Sequence, residues 1–238
     1  MEDFLINDIH VTKSRSGNSL INRKMIRVLG VLLAIEAILL LVSGCVSAIY
    51  DEADYIYFVY CALLNLGVGS VLVWLGRHAD NTVTRRDGYC IVAFTWLLFT
   101  AFGMLPFYIS GAIPSIPNAF FETMSGFTTT GATILDDIEA LSHGMLFWRS
   151  FTQWIGGLGI IFFTIAVLPI FGVGNQVLFS AEATGVIHDK IHPKISVMAK
   201  WLWLIYLLIT GSLISLLLIG GMDLFDAVCH AFATAATG

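Results

Sequence analysis

Two short segments rich in threonine, glycine and alanine lie inside otherwise apolar sequence, at residues 127–133 and 232–238. Each follows an amphipathic run that begins with a phenylalanine and an acidic residue, at 121–122 and 225–226. Non-helical backbone at membrane depth is tolerated only where it is buried in protein or lines a water-filled path. Carbonyl oxygens that face such a path can replace the hydration shell of a cation. The repeated pattern therefore predicts a path for cations.

The predicted ion-binding residues, which act through their backbone carbonyls, are Thr128, Thr129, Thr130, Gly131, Ala236, Thr237 and Gly238. Glycine reaches positive φ without steric cost, and threonine hydroxyls can hydrogen-bond to nearby backbone. A short helix over 115–127 would direct its negative C-terminal end toward the ion. Gly131 lies nine residues after Glu122, whereas Gly238 lies twelve after Asp226. An alignment of the two segments on these acids therefore needs a gap.

Composition indicates an integral membrane protein in contact with lipid. Hydrophobic residues make up 57% of the 238 residues and charged residues 12%, against roughly 25% charged in a typical soluble domain. The net charge of -5 gives no basic surplus, and the sequence has no basic stripe with interleaved aromatic residues, which argues against nucleic-acid binding.

A spanning helix needs about 20 apolar residues, and five segments come close: 28–50, 56–76, 89–111, 145–170 and 197–220. Lys and Arg cluster before the first segment, between the second and third, and between the fourth and fifth. Because basic loops favour the cytoplasm, we expect a multi-pass protein with a cytoplasmic N-terminus. The apolar runs 119–127 and 222–232 are too short to cross, and we expect each to enter the membrane and return.

These features predict an all-α integral membrane fold with re-entrant pore helices and filter loops. The expected parts are a cytoplasmic N-terminal segment (1–27), two N-terminal transmembrane helices (28–76), a first helix–pore loop–helix unit (88–170), a cytoplasmic connection (171–196) and the start of a second unit (197–238). Because residue 238 falls inside the second Thr/Gly segment, we expect the chain to be a fragment or a truncated form.

Several residues inside the spans have two interpretations. Arg149 either reaches the headgroup region beside neighbouring tryptophans or forms an ion pair that supports the pore. Gly156 and Gly157 form either a hinge with a role in gating or a point of close helix contact. Glu36 is a lone acid in hydrocarbon and hence a functional candidate, although it can also pack inward as a neutral group.

Two rival functions belong to other classes. Residues 188–192 carry two histidines at the i, i+4 spacing of a zinc protease helix, with Asp189 in the place of the usual glutamate. Pro193 biases the preceding histidine away from helix, so we expect no zinc site. A non-conducting structural subunit is the other rival, since small residues also mark close contacts between membrane helices.

Two longer motifs, at residues 121–133 and 147–157, resemble the Trk/Ktr/HKT superfamily of potassium transporters. Shorter matches at 168–169, 182–185 and 230–232 extend the resemblance to nearly the whole chain after about residue 25. The resemblance implies a pore built from four consecutive helix–re-entrant loop–helix units, preceded in some members by two extra helices. By that pattern Thr129, Thr130 and Gly131 line the first quarter of the filter, and residues 236–238 line the second.

The same resemblance implies a potassium uptake subunit that is not an enzyme. Potassium is then the substrate, bound at the filter, and no organic cofactor is expected. It further implies the bacterial inner (plasma) membrane, a homodimer, and a cytosolic nucleotide-binding regulatory subunit of the TrkA type as partner. Neither Thr/Gly segment matches the TVGYG loop of tetrameric potassium channels.

Overall fold

The computed structural model describes residues 23–77, 85–167 and 195–238, with side chains at 23–77, 87–159 and 200–238. These residues form helices joined by short turns and loops, without a strand among them. The helices are α1 (Arg23–Ile49), α2 (Tyr55–Leu75), α3 (Arg85–Gly103), α4 (Leu105–Ile109), α5 (Ile116–Phe127), α6 (His143–Val167), α7 (Ile195–Ile219) and α8 (Leu224–Ala236).

Four stretches of the described helices are long and apolar enough to cross a membrane: Arg23–Ile49, Tyr55–Leu75, Asp87–Ile109 and Lys200–Ile219. The third joins α3 to α4, because the amide of Met104 bonds to the Thr100 carbonyl at 3.0 Å and so carries the helical pattern across the junction. These stretches confirm four of the five predicted spans. The fifth prediction, 145–170, coincides with the 25-residue helix α6 as far as Val167.

The hairpin of α1 and α2 is held together by close backbone contact. A Cβ added to Gly30 would lie 2.6 Å from the carbonyl oxygen of Gly69, so only glycine permits this approach. At the far end of α2, a Cβ on Gly76 would lie 2.6 Å from the Cβ of Arg27. The beginning of α1 and the end of α2 therefore meet, which gathers basic residues at one end of the hairpin and leaves Asp51 and Glu52 at the other.

Helix α5 is too short to cross a membrane. It begins after Ser115 in extended conformation, with a proline in the first turn, and has 12 residues, or about 18 Å at the usual rise. The hydrocarbon core is about 30 Å thick. Since α5 packs against both α3 and α6 and residues 128–142 return to the start of α6, the prediction of a re-entrant helix over 115–127 is confirmed.

Helix α8 follows the span α7 in the same way that α5 follows the span formed by α3 and α4. The side chain of Asp223 accepts a hydrogen bond from the amide of Asp226 at 3.1 Å and caps the helix. The prediction ended this re-entrant helix at residue 232, but α8 continues to Ala236. The reason is that alanine, threonine and phenylalanine at 231–236 include no glycine or proline, so nothing in the sequence interrupts the helix there.

One tryptophan joins the first re-entrant helix to two spans. Trp148 of α6 is fully buried, and its indole Nε1 donates to the carbonyl of Gly103 at 2.8 Å. Its ring meets Phe127 edge-on, with centroids 6.2 Å apart. This contact fixes the C-terminal end of α5 against α3 and α6.

Candidate cation site at the ends of α5 and α8

Helix α5 ends in a left-handed turn. Thr129 has φ +54°, a conformation that costs most non-glycine residues about 1–2 kcal/mol. Its amide bonds to the Gly126 carbonyl at 2.9 Å, and the amide of Thr130 bonds to the Ser125 carbonyl at 2.9 Å. These two bonds define a Schellman motif, which satisfies carbonyls that the helix end would otherwise leave free.

Helix α8 ends in the same motif. Thr237 has φ +60°, its amide bonds to the Thr234 carbonyl at 3.1 Å, and the amide of Gly238 bonds to the Ala233 carbonyl at 3.1 Å. Thr237 therefore corresponds to Thr129, and Gly238 corresponds to Thr130. The two helix ends therefore superimpose in a register in which the two acidic residues are not aligned.

The two acidic residues occupy different places in this register. In the register set by the helix ends, Glu122 corresponds to His230, and Asp226 corresponds to Asn118. Asp226 lies in the first turn of α8, whereas Glu122 lies in the second half of α5. The two acids share a neighbouring phenylalanine but occupy different positions along their helices.

The loop after α5 is fastened to the helix by hydroxyl groups. The Thr128 hydroxyl donates to the Met124 carbonyl at 2.7 Å and lies 2.8 Å from the Thr130 hydroxyl. One turn earlier, the Ser125 hydroxyl donates to the carbonyl of Ala132 at 2.6 Å. These bonds hold the backbone of 128–132 in one conformation, which a site built from carbonyl groups requires.

Glu122 provides a second and stronger attachment. Its carboxylate accepts the amide of Ile134 at 3.0 Å and lies 3.0 Å from the Thr133 hydroxyl through both oxygens. The Nε of Arg149 donates to it at 2.7 Å. The carboxylate thus joins α5, the returning segment and α6.

The pairing of Arg149 decides between its two interpretations. The Arg149 side chain is 14% exposed and that of Glu122 is 1% exposed. Because the guanidinium bonds to a buried carboxylate, its position is that of an ion pair beside the re-entrant helix, and the expected ion pair is present in the structure.

Gly156 and Gly157 lie at points of close contact with two different helices. A Cβ on Gly156 would overlap the carbonyl oxygen of Phe127, at the end of α5. A Cβ on Gly157 would lie 2.6 Å from the Tyr206 hydroxyl and 3.4 Å from the Cα of Ala236, at the end of α8. The two glycines let α6 approach the ends of both re-entrant helices, which supports the contact interpretation over the hinge.

The two Thr/Gly segments meet at their glycines. Gly131 has φ +71°, and a Cβ there would lie 2.7 Å from the carbonyl carbon of Gly238. A Cβ on Gly238 would lie 3.2 Å from the Cδ of Gln153 in α6. Of the predicted residues, the structure therefore brings Gly131 and Gly238 together, while Ala236 is the last residue of α8 and is buried.

Sequence reasoning did not assign roles to Glu122, Ser125, Thr152 or Gln153. Arg149, Thr152, Gln153 and Gly156 recur at spacings of three and four within an apolar span, which places polar groups on one helix face. That spacing was the sequence signal from which a polar face of α6 could have been predicted. A Cβ added to Gly126 would overlap the Thr152 hydroxyl, so this face of α6 packs against α5.

A separate polar contact links the acidic turn of the hairpin to α6. Glu52 accepts the amides of His143 and Gly144 at 2.9 and 3.1 Å, and the imidazole Nδ1 of His143 lies 2.8 Å from it. Burial alone would raise the pKa of Glu52, but these donors outweigh it and hold the pKa below its ordinary value. Tyr50 stacks on His143 with centroids 4.0 Å apart.

The histidine pair of the zinc hypothesis, at 188–192, lies outside the described residues. Across 23–77, 85–167 and 195–238, no three His, Cys, Asp or Glu side chains are grouped as metal ligands. Around the end of α5, the described structure instead brings together threonine hydroxyls and the ion pair of Arg149 with Glu122.

Together the fold and the site define an all-helical membrane protein in which two half-crossing helices end in matching turns that meet. The chain belongs to the TrkH family, described as cation transport proteins, whose family model matches residues 57–238. The membership confirms the superfamily resemblance.

The chain is similar to curated relatives over most of its length. It is 40% identical over 218 residues to the Trk system potassium uptake protein TrkH of Escherichia coli K12, and this alignment covers 91% of this chain and 45% of that protein. It is 32% identical over 211 residues to the Trk system potassium uptake protein TrkG of the same strain, which covers 88% and 44%. The chain thus spans a little under half the length of these relatives.

A solved structure agrees with the fold. The crystal structure of the potassium transporter TrkH from Vibrio parahaemolyticus matches with a TM-score of 0.75 and 34% sequence identity. The match covers 88% of this chain and 42% of that one.

Proposed function

We propose that this chain contributes two quarters of a potassium pore and that backbone carbonyls at the ends of α5 and α8 bind the ion during uptake. The ion-binding residues are Thr128, Thr129, Thr130, Gly131, Ala236, Thr237 and Gly238. Potassium is the substrate, and the step is permeation without covalent chemistry. The names of the similar proteins, which are potassium uptake proteins, support the choice of ion.

One observation carries the proposal: both half-crossing helices end in the same left-handed threonine turn and meet at Gly131 and Gly238. Helix C-termini carry partial negative charge that favours cations. The glycines allow the two segments to approach closely, and the bonds from Ser125 and Glu122 hold the first segment in place. Arg149 supports this arrangement through Glu122, while Gly156 and Gly157 let α6 pack against it.

The topology proposal follows the charge distribution. The beginning of α1 and the end of α2, which meet, carry Arg23, Arg27 and Arg77, and we place this end in the cytoplasm of a bacterial inner membrane. The divisions are 1–27 for the cytoplasmic N-terminal segment, 28–76 for the N-terminal helix pair, 88–170 for the first unit, 171–196 for the cytoplasmic connection and 197–238 for the start of the second unit.

The assembly proposal includes partners. The relatives are named as parts of a Trk system, which supports a cytosolic nucleotide-binding regulatory subunit as partner. The protein is a homodimer in contact with membrane lipid. Co-purification of the tagged protein with its cytosolic partner, with and without nucleotide, tests the first statement, and native mass spectrometry tests the second.

The test of the pore compares two glycines. Gly131→Ser places a side chain at φ +71° beside Gly238, whereas Gly111→Ser places one at φ +80° with nothing within 4 Å. Both carry similar backbone strain, but only the first lies in the site. The measurement is potassium against sodium flux into proteoliposomes that contain the longest native product carrying this sequence, with the cytosolic partner supplied.

We expect folded Gly131→Ser to lose the preference for potassium while Gly111→Ser keeps it. If both variants keep the wild-type preference, Gly131 does not line the path. If the wild type moves neither ion, the assignment as a pore fails.

A further inference from the structure

Three polar side chains on different helices are buried without a hydrogen-bond partner. Glu36 of α1 and Asn65 of α2 are 0% exposed, and Thr123 of α5 is 1% exposed. Within the described part of the chain, both carboxylate oxygens of Glu36, both amide atoms of Asn65 and the hydroxyl of Thr123 lack a partner. A buried polar group without a partner costs about 1–3 kcal/mol, so these five atoms require a hydrogen-bonding partner.

The geometry of the hairpin places Asn65 level with Glu36. Gly30 packs against Gly69 in the antiparallel pair of α1 and α2. Glu36 lies six residues after Gly30, and Asn65 lies four residues before Gly69. Because the residue numbers run in opposite directions along the two helices, these side chains are at nearly the same height.

Thr123 approaches the same place from the re-entrant helix. The Cβ position of Gly103 lies 2.9 Å from Oε1 of Glu36 and 3.3 Å from Cγ2 of Thr123. Glycine at 103 therefore leaves open the space that a side chain would fill between them. Glu36 and Thr123 therefore border the same space beside Gly103, and buried Asn65 lies at the height of Glu36 on the neighbouring helix.

The types of atom in the pocket decide which ligand fits. A cation would use the oxygens but would leave the Asn65 amide donors unmatched. Water both donates and accepts, and buried water typically makes about three hydrogen bonds to such groups. An ionised carboxylate would need a nearby cation, whereas Arg149 is paired with Glu122 at 2.7 Å. A neutral acid with water therefore satisfies the set.

We propose that Glu36, Asn65 and Thr123 line a hydrated pocket in which Glu36 is protonated and bound water bridges the three side chains. The pocket connects the N-terminal helix pair to the back of the first re-entrant helix. It does not depend on the proposed function, because no residue of the pocket belongs to the cation site.

The test is infrared spectroscopy of the wild-type protein at neutral pH in H₂O and D₂O. We expect a carbonyl band from a protonated carboxyl group that shifts in D₂O, that is lost in Glu36→Gln, and that does not change when potassium or sodium is added. Glu139→Gln removes an exposed acid and is the matched control, which should leave the band unchanged.

Thr123→Val keeps the shape of the side chain and removes one bridging hydroxyl, so it should shift the band without abolishing it. This variant keeps the test decisive if Glu36→Gln does not fold. The absence of the band in wild-type protein would overturn the proposal, as would a band that does not exchange in D₂O. Conversion of the band to a carboxylate signal on addition of potassium would show a cation site instead of a hydrated acid.

Discussion

Removal of Arg149 should destabilise the protein more than removal of both members of its ion pair. In Arg149→Met, the Glu122 carboxylate stays 1% exposed and loses the donor at 2.7 Å. It keeps only the amide of Ile134 and the hydroxyl of Thr133. A buried charge without its counter-charge is the main cause of this instability.

The magnitudes follow from burial and from the remaining bonds. Breaking a buried pair by removal of one partner costs about 3–5 kcal/mol. Because two donors still bond to Glu122, we expect the cost of Arg149→Met to lie near the lower limit of this range. Glu122→Gln leaves an arginine that is 14% exposed and can extend toward water, so its cost is about 1.5 kcal/mol. The double variant leaves no buried charge and should cost about 1 kcal/mol. The coupling energy is then about 3.5 kcal/mol.

The assay is reversible unfolding in mixed micelles for the wild type, both single variants and the double variant. Lys200→Met is the control for loss of a cation, because Lys200 is exposed, and its effect should stay within about 0.5 kcal/mol. If the two single effects simply add in the double variant, the ion pair is not a coupled unit and the reasoning is wrong.

Two further predictions concern helix contact and pH. Gly156→Ala places a Cβ against the backbone of Phe127, which cannot move aside as a side chain could, and should cost about 3 kcal/mol in the same unfolding assay. The control is Gly67→Ala, which has nothing within 4 Å of the added Cβ and should be neutral or slightly stabilising. Equal costs for the two variants would contradict the packing argument. Because the folded state holds the pKa of Glu52 below its ordinary value, the stability that Glu52 provides is present above that value and is lost as pH falls through the lowered pKa. The stability difference between wild type and Glu52→Gln, measured across this pH range, should therefore disappear on acidification.

The sequence predicted the spans and the re-entrant helices well, because length and hydropathy alone decide whether a helix can cross. The first re-entrant helix was predicted over 115–127 and observed at Ile116–Phe127, since proline marks its start and the Thr/Gly segment its end. The second was predicted to end at residue 232 and continues to Ala236. The alanines and threonine before that point permit both helix and loop, and the left-handed turn of Thr237 settles where the helix ends.

The geometry of the candidate cation site was predicted in part. The Thr/Gly segments were visible as a composition, but their attachment was not, because it depends on which side chains face each other across α5 and α6. Glu122 is 12 residues from Ile134 and 27 from Arg149 in sequence, and no periodicity relates these positions. Gly156 and Gly157 were recognised as either a hinge or a point of helix contact, and only the position of the Phe127 carbonyl distinguishes these two interpretations.

The similarity of the two units lies in the backbone at their helix ends more than in their acidic residues. Asp226 lies in the first turn of α8, where its amide completes the cap formed by Asp223, whereas Glu122 holds the segment that returns from the site. Carbonyl groups can bind an ion only if the chain leaves the helix in a defined direction, and the left-handed threonine fixes that direction in both units. Repeats of this kind are therefore best aligned from the helix end that faces the proposed site, because side chains at the opposite end serve each unit's own packing.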